Sequence, residues 1–459
     1  MTDVLSKQIA QHVIETNYTE LDIETVEHVK KTLIDTVSCA IGGFHSLPAQ
    51  FARTISKSET SSSLPSRIIG TDIYTTPEMA SFTNTVMIRY LDCNDSYFSP
   101  GGGHPSDMIG AALTLAQSLN ASGQDLITSI VLGYDIFCTL SDEVVVNELG
   151  WDQGLFLGLS AACIASKLLG LSKTQIENAV SLSLVPNLPL GVTRIGELSM
   201  WKGCATANAV KSGVFAARLA QTGLTGPENP FASPRGLWEQ MGLPNIEINE
   251  LNAHARVRKI QQNIFKYFPS QIHTQSPIGI ACELSTKITH TNIENIKILS
   301  YKQGGVSSPL SQPEKWNPTT RETADHSIPY LVAAALIDGT VNPLTFSEPN
   351  FSRESIKGLM KKTTINELPE FSQKYPNEYN CNIEIKTKSG EKFRQGISFP
   401  KGHKSNPFTN EDVESKFTNL TTGIMNKKRL NHIFAILGKL EKSSSINDIF
   451  DAVKITDTN

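Results

Sequence analysis

The sequence predicts a mainly α protein with one α+β segment, and three observations carry that prediction. Apolar residues recur at three- and four-residue intervals from the start to about Phe265; strand-like alternation begins beyond Lys266; amphipathic helix returns after about His403. At 459 residues the chain exceeds what one core usually organises, so it is divided here as 1–265, 266–403 and 404–459.

The elements follow in order. "MTDVLSKQIAQHVIETNYTELD" reads as an amphipathic first helix, because acids and polar residues interrupt the apolar run that a secretory signal would need. "VEHVKKTLIDTVSCAIGG", "PEMASFTNTVMIRYL" and "DLITSIVLGYDIFCTLSDEV" have helical periodicity, whereas the polar tract Ser56 to Arg67 reads as a surface loop. "LFLGLSAACIASKLLGLSKTQIENAVSLSL" predicts two helices broken at Gly170 and restarted by Ser172, with Gln175 at the capping-box spacing. "WKGCATANAVKSGVFAARLAQTG" predicts a further helix ending at Gly223, and its Ala and Gly content predicts close packing. Beyond "KYFPSQIHTQSP", the stretches "IENIKILSYKQG" and "NIEIKTKSGEKFRQGISFP" alternate like strands, with Ser389-Gly390 as a hairpin turn. "FPKGHKSNPFT" ends that pattern, and "NEDVESKFTNLTTGIM" and "NHIFAILGKLEK" predict helices that rejoin the first part.

The net charge of -4 gives no polycationic footprint, which argues against nucleic acid as a partner and leaves small anions open. No run reaches the roughly 18 apolar residues of a membrane span, so a soluble, cytoplasmic protein is expected. Seven widely spaced cysteines without a Cys-x-x-Cys pair point to a reducing compartment rather than to disulfides or zinc. Phosphate-loop, dinucleotide, nucleophile-elbow and His-Glu-x-x-His motifs are absent, and the ten histidines are scattered. Neither metal nor cofactor is expected, and side-chain acid-base chemistry is the economical alternative.

One stretch concentrates chemistry. "RYLDCNDSYFSPGGGHPSDMIGAALTLAQSL" gathers Asp92, Asp95, Ser96, His104 and Asp107 around three glycines before an apolar helix. Two readings stand side by side. Asp107 can serve the first turns of a helix opened by Pro105 and Ser106, or the glycines can bring N–H groups to an anion with His104 at the mouth.

"LDCNDSYFSPGGGHPSD", "SMWKGCATANAVKSGVFAARLAQTGLTGPENPF", "KYFPSQIHTQSP", "WNPTTRETADHSIPYLVAAALIDG" and "FPKGHKSNPFT" together resemble the MmgE/PrpD family, which includes 2-methylcitrate dehydratase, cis-aconitate decarboxylase and iminodisuccinate epimerase. The resemblance implies a large all-helical domain built from both ends of the chain, with a smaller α+β lid domain inserted, and a homodimer. It implies small di- or tricarboxylate substrates, no cofactor, and a cleft between the two domains lined by Asp92, Ser96, His104, Lys202, Lys266 and His273.

Those residue types suit that substrate class. Removing a proton beside a carboxylate creates a dianionic aci-carboxylate, which needs fixed positive charge where the new charge develops. Lys202, Lys266 and His273 can supply it, while Asp92 and His104 are the acid-base candidates with direction open. Each has a plainer rival: Lys202 as a solvated helix-end cation, His273 as a hinge hydrogen-bonder, His326 as a cap or interdomain contact. His403 reads as lid surface, Tyr330 and Trp201 as core.

In "GWDQGLFLGLSAA", Asp152 stands where decarboxylase-like relatives carry a histidine. An ionised Asp152 would repel a third carboxylate by about 1 to 4 kcal/mol, which disfavours decarboxylation. A dehydratase acting on a 2-methylcitrate-like hydroxy acid is therefore the first expectation. The family's decarboxylase and epimerase activities follow, and a non-catalytic carboxylate-binding paralogue is the alternative of another class.

Overall fold

The computed structural model describes residues 4–60, 62–248, 251–306 and 310–455. Among the described residues, nine principal helices fill the first part: α1 (Val4–Glu15), α2 (Ile23–Gly42), α3 (Leu47–Ser58), α4 (Pro77–Tyr90), α5 (Ile109–Ser118), α6 (Gly123–Glu143), α7 (Gly154–Leu168), α8 (Lys173–Leu184) and α9 (Ala205–Gln221). Local chemistry sets their starts. Asp22 caps α2, Ser46 caps α3 and Thr76 caps α4 ahead of Pro77, each accepting an otherwise orphaned backbone N–H. The predicted capping box of Ser172 and Gln175 opens α8, and Ser122 with Asp125 opens α6 the same way. Gly170 and Gly223 take positive φ of 66° and 95° after α7 and α9, where a side chain would be strained.

The α7–α9 contact shows what the small residues do. A Cβ on Gly213 would lie 2.2 Å from the carbonyl oxygen of Gly158 and 2.8 Å from the nitrogen of Ala162, so the two helices touch backbone to backbone. Around this pair, Ile130, Phe137, Phe156, Val210 and Trp238 form a core to which the later helices Asn410–Leu420 and Lys427–Leu437 add Phe417, Leu430 and Leu437.

A second apolar cluster surrounds a four-stranded sheet. Its strands are β3 (Ile293–Ser300), β4 (Thr363–Glu367), β5 (Cys381–Thr387) and β6 (Lys392–Ile397), in the order β4-β3-β5-β6. β3 runs parallel to β4, with Ile298 opposite Ile365, and antiparallel to β5, with Ile298 opposite Ile383. The β5–β6 hairpin turns at Gly390, whose φ of 87° fits the predicted Ser389-Gly390 turn. Helices Gln275–Ser285 and Ile328–Asp338 bury Ile278, Ile280, Leu331 and Ala335 in the same cluster. The mainly α prediction holds, and no helix among the described residues is long and apolar enough to cross a membrane.

Four local readings change. The tract from Ser56 to Arg67 is not all surface loop, Ser61 lying outside the described residues: Ser56 to Ser58 end α3, and Ser66–Arg67 form buried β1, paired with β2 (Tyr74–Thr75). α9 starts at Ala205 rather than Trp201, because a 3-10 turn, Met200–Gly203, precedes it. Trp201 is 48 % exposed on that turn and is not core. His403 is 2 % exposed, its Nδ1 accepting from the Ser405 N–H and its ring stacked on Phe399. Tyr330 is buried as predicted, its hydroxyl donating to the carbonyl of Thr345.

Candidate active site

Asp92 follows the end of α4 with a φ of 50°, a conformation that turns the chain sharply and buries the carboxylate completely. Three cations meet it there. Arg89 Nη1 and Lys266 Nζ each lie 2.6 Å from Oδ1, and Lys202 Nζ lies 2.9 Å from Oδ2. Burial alone would raise the pKa of Asp92; Arg89, Lys202 and Lys266 outweigh it and hold the carboxyl well below the usual range. Lys202 also donates to both oxygens of Asp325 at 3.0 Å, and Arg321 Nη1 reaches Asp325 Oδ2 at 3.2 Å. Counting Asp107, whose Oδ2 faces Arg89 Nε at 3.6 Å, four cations meet three carboxylates, an excess of one positive charge.

Two histidines flank Asp92. His104 Nε2 is 3.9 Å from Oδ1 and His326 Nε2 is 3.9 Å from Oδ2. The other ring nitrogen of each is committed: His104 Nδ1 lies 2.8 Å from the carbonyl of Asp95 and 3.1 Å from Ser96 Oγ, and His326 Nδ1 contacts Asp325 Oδ1. A carbonyl and a carboxylate only accept, so both neutral rings carry their proton on Nδ1 and present a lone pair at Nε2. Burial, then Arg89 and Lys266, push His104 well below its ordinary value. Burial, then Lys202, lower His326 to about 4.

A cleft of about 500 Å³ opens in front of this group, a size suited to a small ligand. Asp92, Ser96, His104, Asp152, His273 and His326 line it, together with Arg89, Arg194, Gln312 and Lys315. His273 Nδ1 is 2.6 Å from the Tyr301 hydroxyl, and burial, then Lys315 and His326, lower its pKa to about 3. Lys315, buried in the wall, is lowered to about 8 by burial against the opposing pull of Glu314 and Asp325.

Three sequence expectations are corrected by this geometry. Lys202 and Lys266 do not line the cleft and Lys202 is no solvated cation: they are 2 % and 0 % exposed and stand behind Asp92, drawn in by its charge. The glycine loop is not an anion cradle, because its N–H groups are spent within the protein: Gly101 on Ser141, Gly102 on Ser99, Gly103 on Tyr97 and His104 on Gln153. Its glycines answer a steric need instead, since a Cβ on Gly101 would meet the Val144 oxygen at 2.3 Å and one on Gly103 the Gln153 Oε1 at 2.4 Å. Asp152 is not a lone negative charge: Arg194 holds it with Nε at 2.6 Å and Nη2 at 3.3 Å, so its repulsion of a substrate carboxylate is largely cancelled.

The cleft therefore joins neutral bases to buried positive charge. The sequence matches the MmgE/PrpD N-terminal domain over residues 7–247 and the MmgE/PrpD C-terminal domain over residues 268–441. The chain belongs to the MmgE/PrpD family. Among its relatives are a 2-methylcitrate dehydratase-like protein of Aspergillus oryzae, 26% identical over 84% of this chain and 83% of that protein, and the 2-methylcitrate dehydratase of Escherichia coli, 26% identical over 73% of each. The cis-aconitate decarboxylase of Mus musculus is 24% identical over 91% of this chain and 86% of its own.

Within this MmgE/PrpD chain, sequence reasoning passed over Arg89, Arg194, Lys315 and Asp325. Arg89 stood three residues before Asp92 on a helical pattern, which was a usable signal for an ion pair. The adjacency of Asp325 and His326 was another. Arg194 and Lys315 lie in short 3-10 turns, Gly191–Arg194 and Pro313–Trp316, with no local signature, and only the fold brings them to the cleft.

Proposed function

We propose that the chain is a metal-independent lyase that dehydrates a small hydroxy-tricarboxylate of the 2-methylcitrate type. The observation that carries this reading is the buried Asp92 flanked by two Nε2 lone pairs and backed by Arg89, Lys202 and Lys266. A neutral base facing the cleft suits removal of a proton beside a carboxylate, and the surplus positive charge lowers the energy of the dianion that forms. His104 and Asp92 touch the substrate, with Ser96, Asp152 and His273 binding it. Lys202 and Lys266 act from behind Asp92 by charge. In this reading the segment 266–403 serves as the lid over the helical remainder, 1–265 and 404–459.

Decarboxylation is the second reading, and the Asp152–Arg194 pair favours keeping it, because a third carboxylate would meet a compensated charge. Epimerisation shares the proton-removal step. A panel of citrate-like acids, assayed for alkene absorbance, carbon dioxide release and loss of optical activity, separates the three; conversion of none would sink the enzymatic reading in favour of a carboxylate-binding paralogue. We also propose a homodimer, supported by Leu190, Val192, Ile195 and Trp201, which stand exposed along one stretch beside the cleft. Light scattering that gives the mass of one chain at working concentrations would contradict it. All seven cysteines are free, which suits the reducing environment of a cytoplasmic enzyme.

A further inference from the structure

Two histidines line the cleft with equivalent geometry toward Asp92, yet their second contacts differ in kind. His104 gives its Nδ1–H to a neutral peptide carbonyl, that of Asp95, and has the cations Arg89 and Lys266 for neighbours. There only Asp92, 3.9 Å away and already shared by Arg89, Lys202 and Lys266, opposes a positive charge on the ring. His326 gives its Nδ1–H to the carboxylate of Asp325, so a proton arriving at Nε2 creates an imidazolium whose charge is met inside the pair. Asp325 is itself fixed by Lys202 and Arg321, and its backbone carbonyl accepts from Gln271, so the ring it holds is rigidly aimed.

We infer that His326 is the group that takes the proton from the carbon beside the substrate carboxylate, and that Asp325 is its positioning residue; this rests on the proton-removing reading of the cleft given above. In the step, the substrate C–H bond breaks and an Nε2–H bond forms on His326. The electron pair left behind spreads into the adjacent carboxylate as the aci-carboxylate dianion. The positive charge gained by the ring and the negative charge gained by the substrate balance. His104, whose Nε2 resists protonation, is left to accept a hydrogen bond from the substrate hydroxyl.

The test uses the full chain and an acid that it converts. His326→Gln should lower kcat at least about a hundredfold with KM within about threefold, and should stop exchange of the substrate's carbon-bound hydrogen with deuterium oxide. Asp325→Asn should lower kcat about tenfold or more and move the acid limb of kcat/KM to lower pH. The charged and titratable groups facing His326 are Asp92, Asp325, Lys202 and His273; Asp92, 3.9 Å from Nε2, and Asp325 both raise its basicity, and Asp325 is the one that hydrogen-bonds the ring. A folded His326→Gln protein that keeps more than a tenth of kcat, or that still exchanges hydrogen, overturns the assignment. Should that variant not fold, nitrogen NMR of the wild type decides: a His326 ring protonated on Nδ1 at neutral pH supports the proposal, and one protonated on Nε2 overturns it. A wild type that neither converts nor exchanges any acid overturns the proton-removing reading itself, an outcome visible before any variant is made.

Discussion

The ammonium of Lys202 lies 2.9 Å from Asp92 Oδ2 and 3.0 Å from both oxygens of Asp325, bridging two carboxylates that are both fully buried. Arg321 reinforces the same junction by donating to the carbonyls of Tyr90 and Leu91 at the end of α4. The bridge thus joins the Asp92 turn to the Asp325–His326 turn. One side chain therefore carries both a structural and an electrostatic duty.

Removing that charge should cost stability. Lys202→Met leaves Arg89 and Lys266 on Asp92 and Arg321 on Asp325, so no carboxylate is stranded, but three charged hydrogen bonds are lost from buried oxygens, a change that typically costs about 1 to 3 kcal/mol. Denaturant unfolding should show the loss. A variant as stable as the parent would show that Arg89, Lys266 and Arg321 suffice to hold the two carboxylates.

Activity should survive exhaustive chelation. Asp92, Asp325 and His326 bring ligand-type atoms within 4.8 Å of one another, a spacing that fits a divalent ion, but the Lys202 ammonium already holds the position between the two carboxylates. A cation there would have to displace it. Recovery of a dialysed, inactive protein by one divalent metal would contradict this.

His273 and His326 should each withdraw stability as the solution is made acidic, beginning near neutrality. His273 is lowered from 6.5 to about 3, so above 6.5 both folded and unfolded states are neutral. Below 6.5 the unfolded chain takes a proton that the folded chain refuses, and stability drops by up to about 1.4 kcal/mol per pH unit per histidine until the folded pKa is reached. His326, lowered to about 4, adds the same trend over a narrower window. His273→Gln should flatten the slope between about pH 6 and about pH 4, measured by denaturant midpoints; an unchanged slope would show that His273 binds its proton equally in both states.

Gly213→Ala should destabilise the helical core by about 1 to 3 kcal/mol, because its Cβ would meet backbone atoms of α7 that cannot rotate away. Gly358→Ala is the control. Its Cβ would meet nothing within 4 Å, so the change should be neutral or stabilising by up to about 1 kcal/mol. Thermal melts of the two proteins compare the effects directly.

What was legible in the sequence was local. The Ser172–Gln175 capping box, the Gly390 turn and the joint presence of Asp92, Ser96 and His104 in one stretch all depend on residues close in the chain. What was not legible depends on pairs far apart. Burial of Lys202 follows from Asp92 and Asp325, 110 and 123 positions away, and a helical pattern around residue 202 gives no hint of either. The glycine loop misled for a similar reason: the N–H groups of Gly101 and His104 are used by Ser141 and Gln153, which only the fold brings near.

The strongest test of the cleft couples His104 with Lys202. If both act on one transition state, His104→Gln and Lys202→Met should each lower turnover by at least about a hundredfold, the scale for losing a polar contact to the reacting group or a stabilising charge. Their combined loss should fall well short of the product, because His104 and Lys202 both bear on Asp92 and the first removal already disables what the second supports. A purely structural part for Lys202 gives a different pattern. Stability would fall, yet the fraction still folded would turn over at the parent rate, and the His104 effect would be unchanged in its presence. Rates are therefore compared per folded molecule, at a temperature where denaturant curves show both variants to be native, and near-parent rates in both would remove the pair from the mechanism.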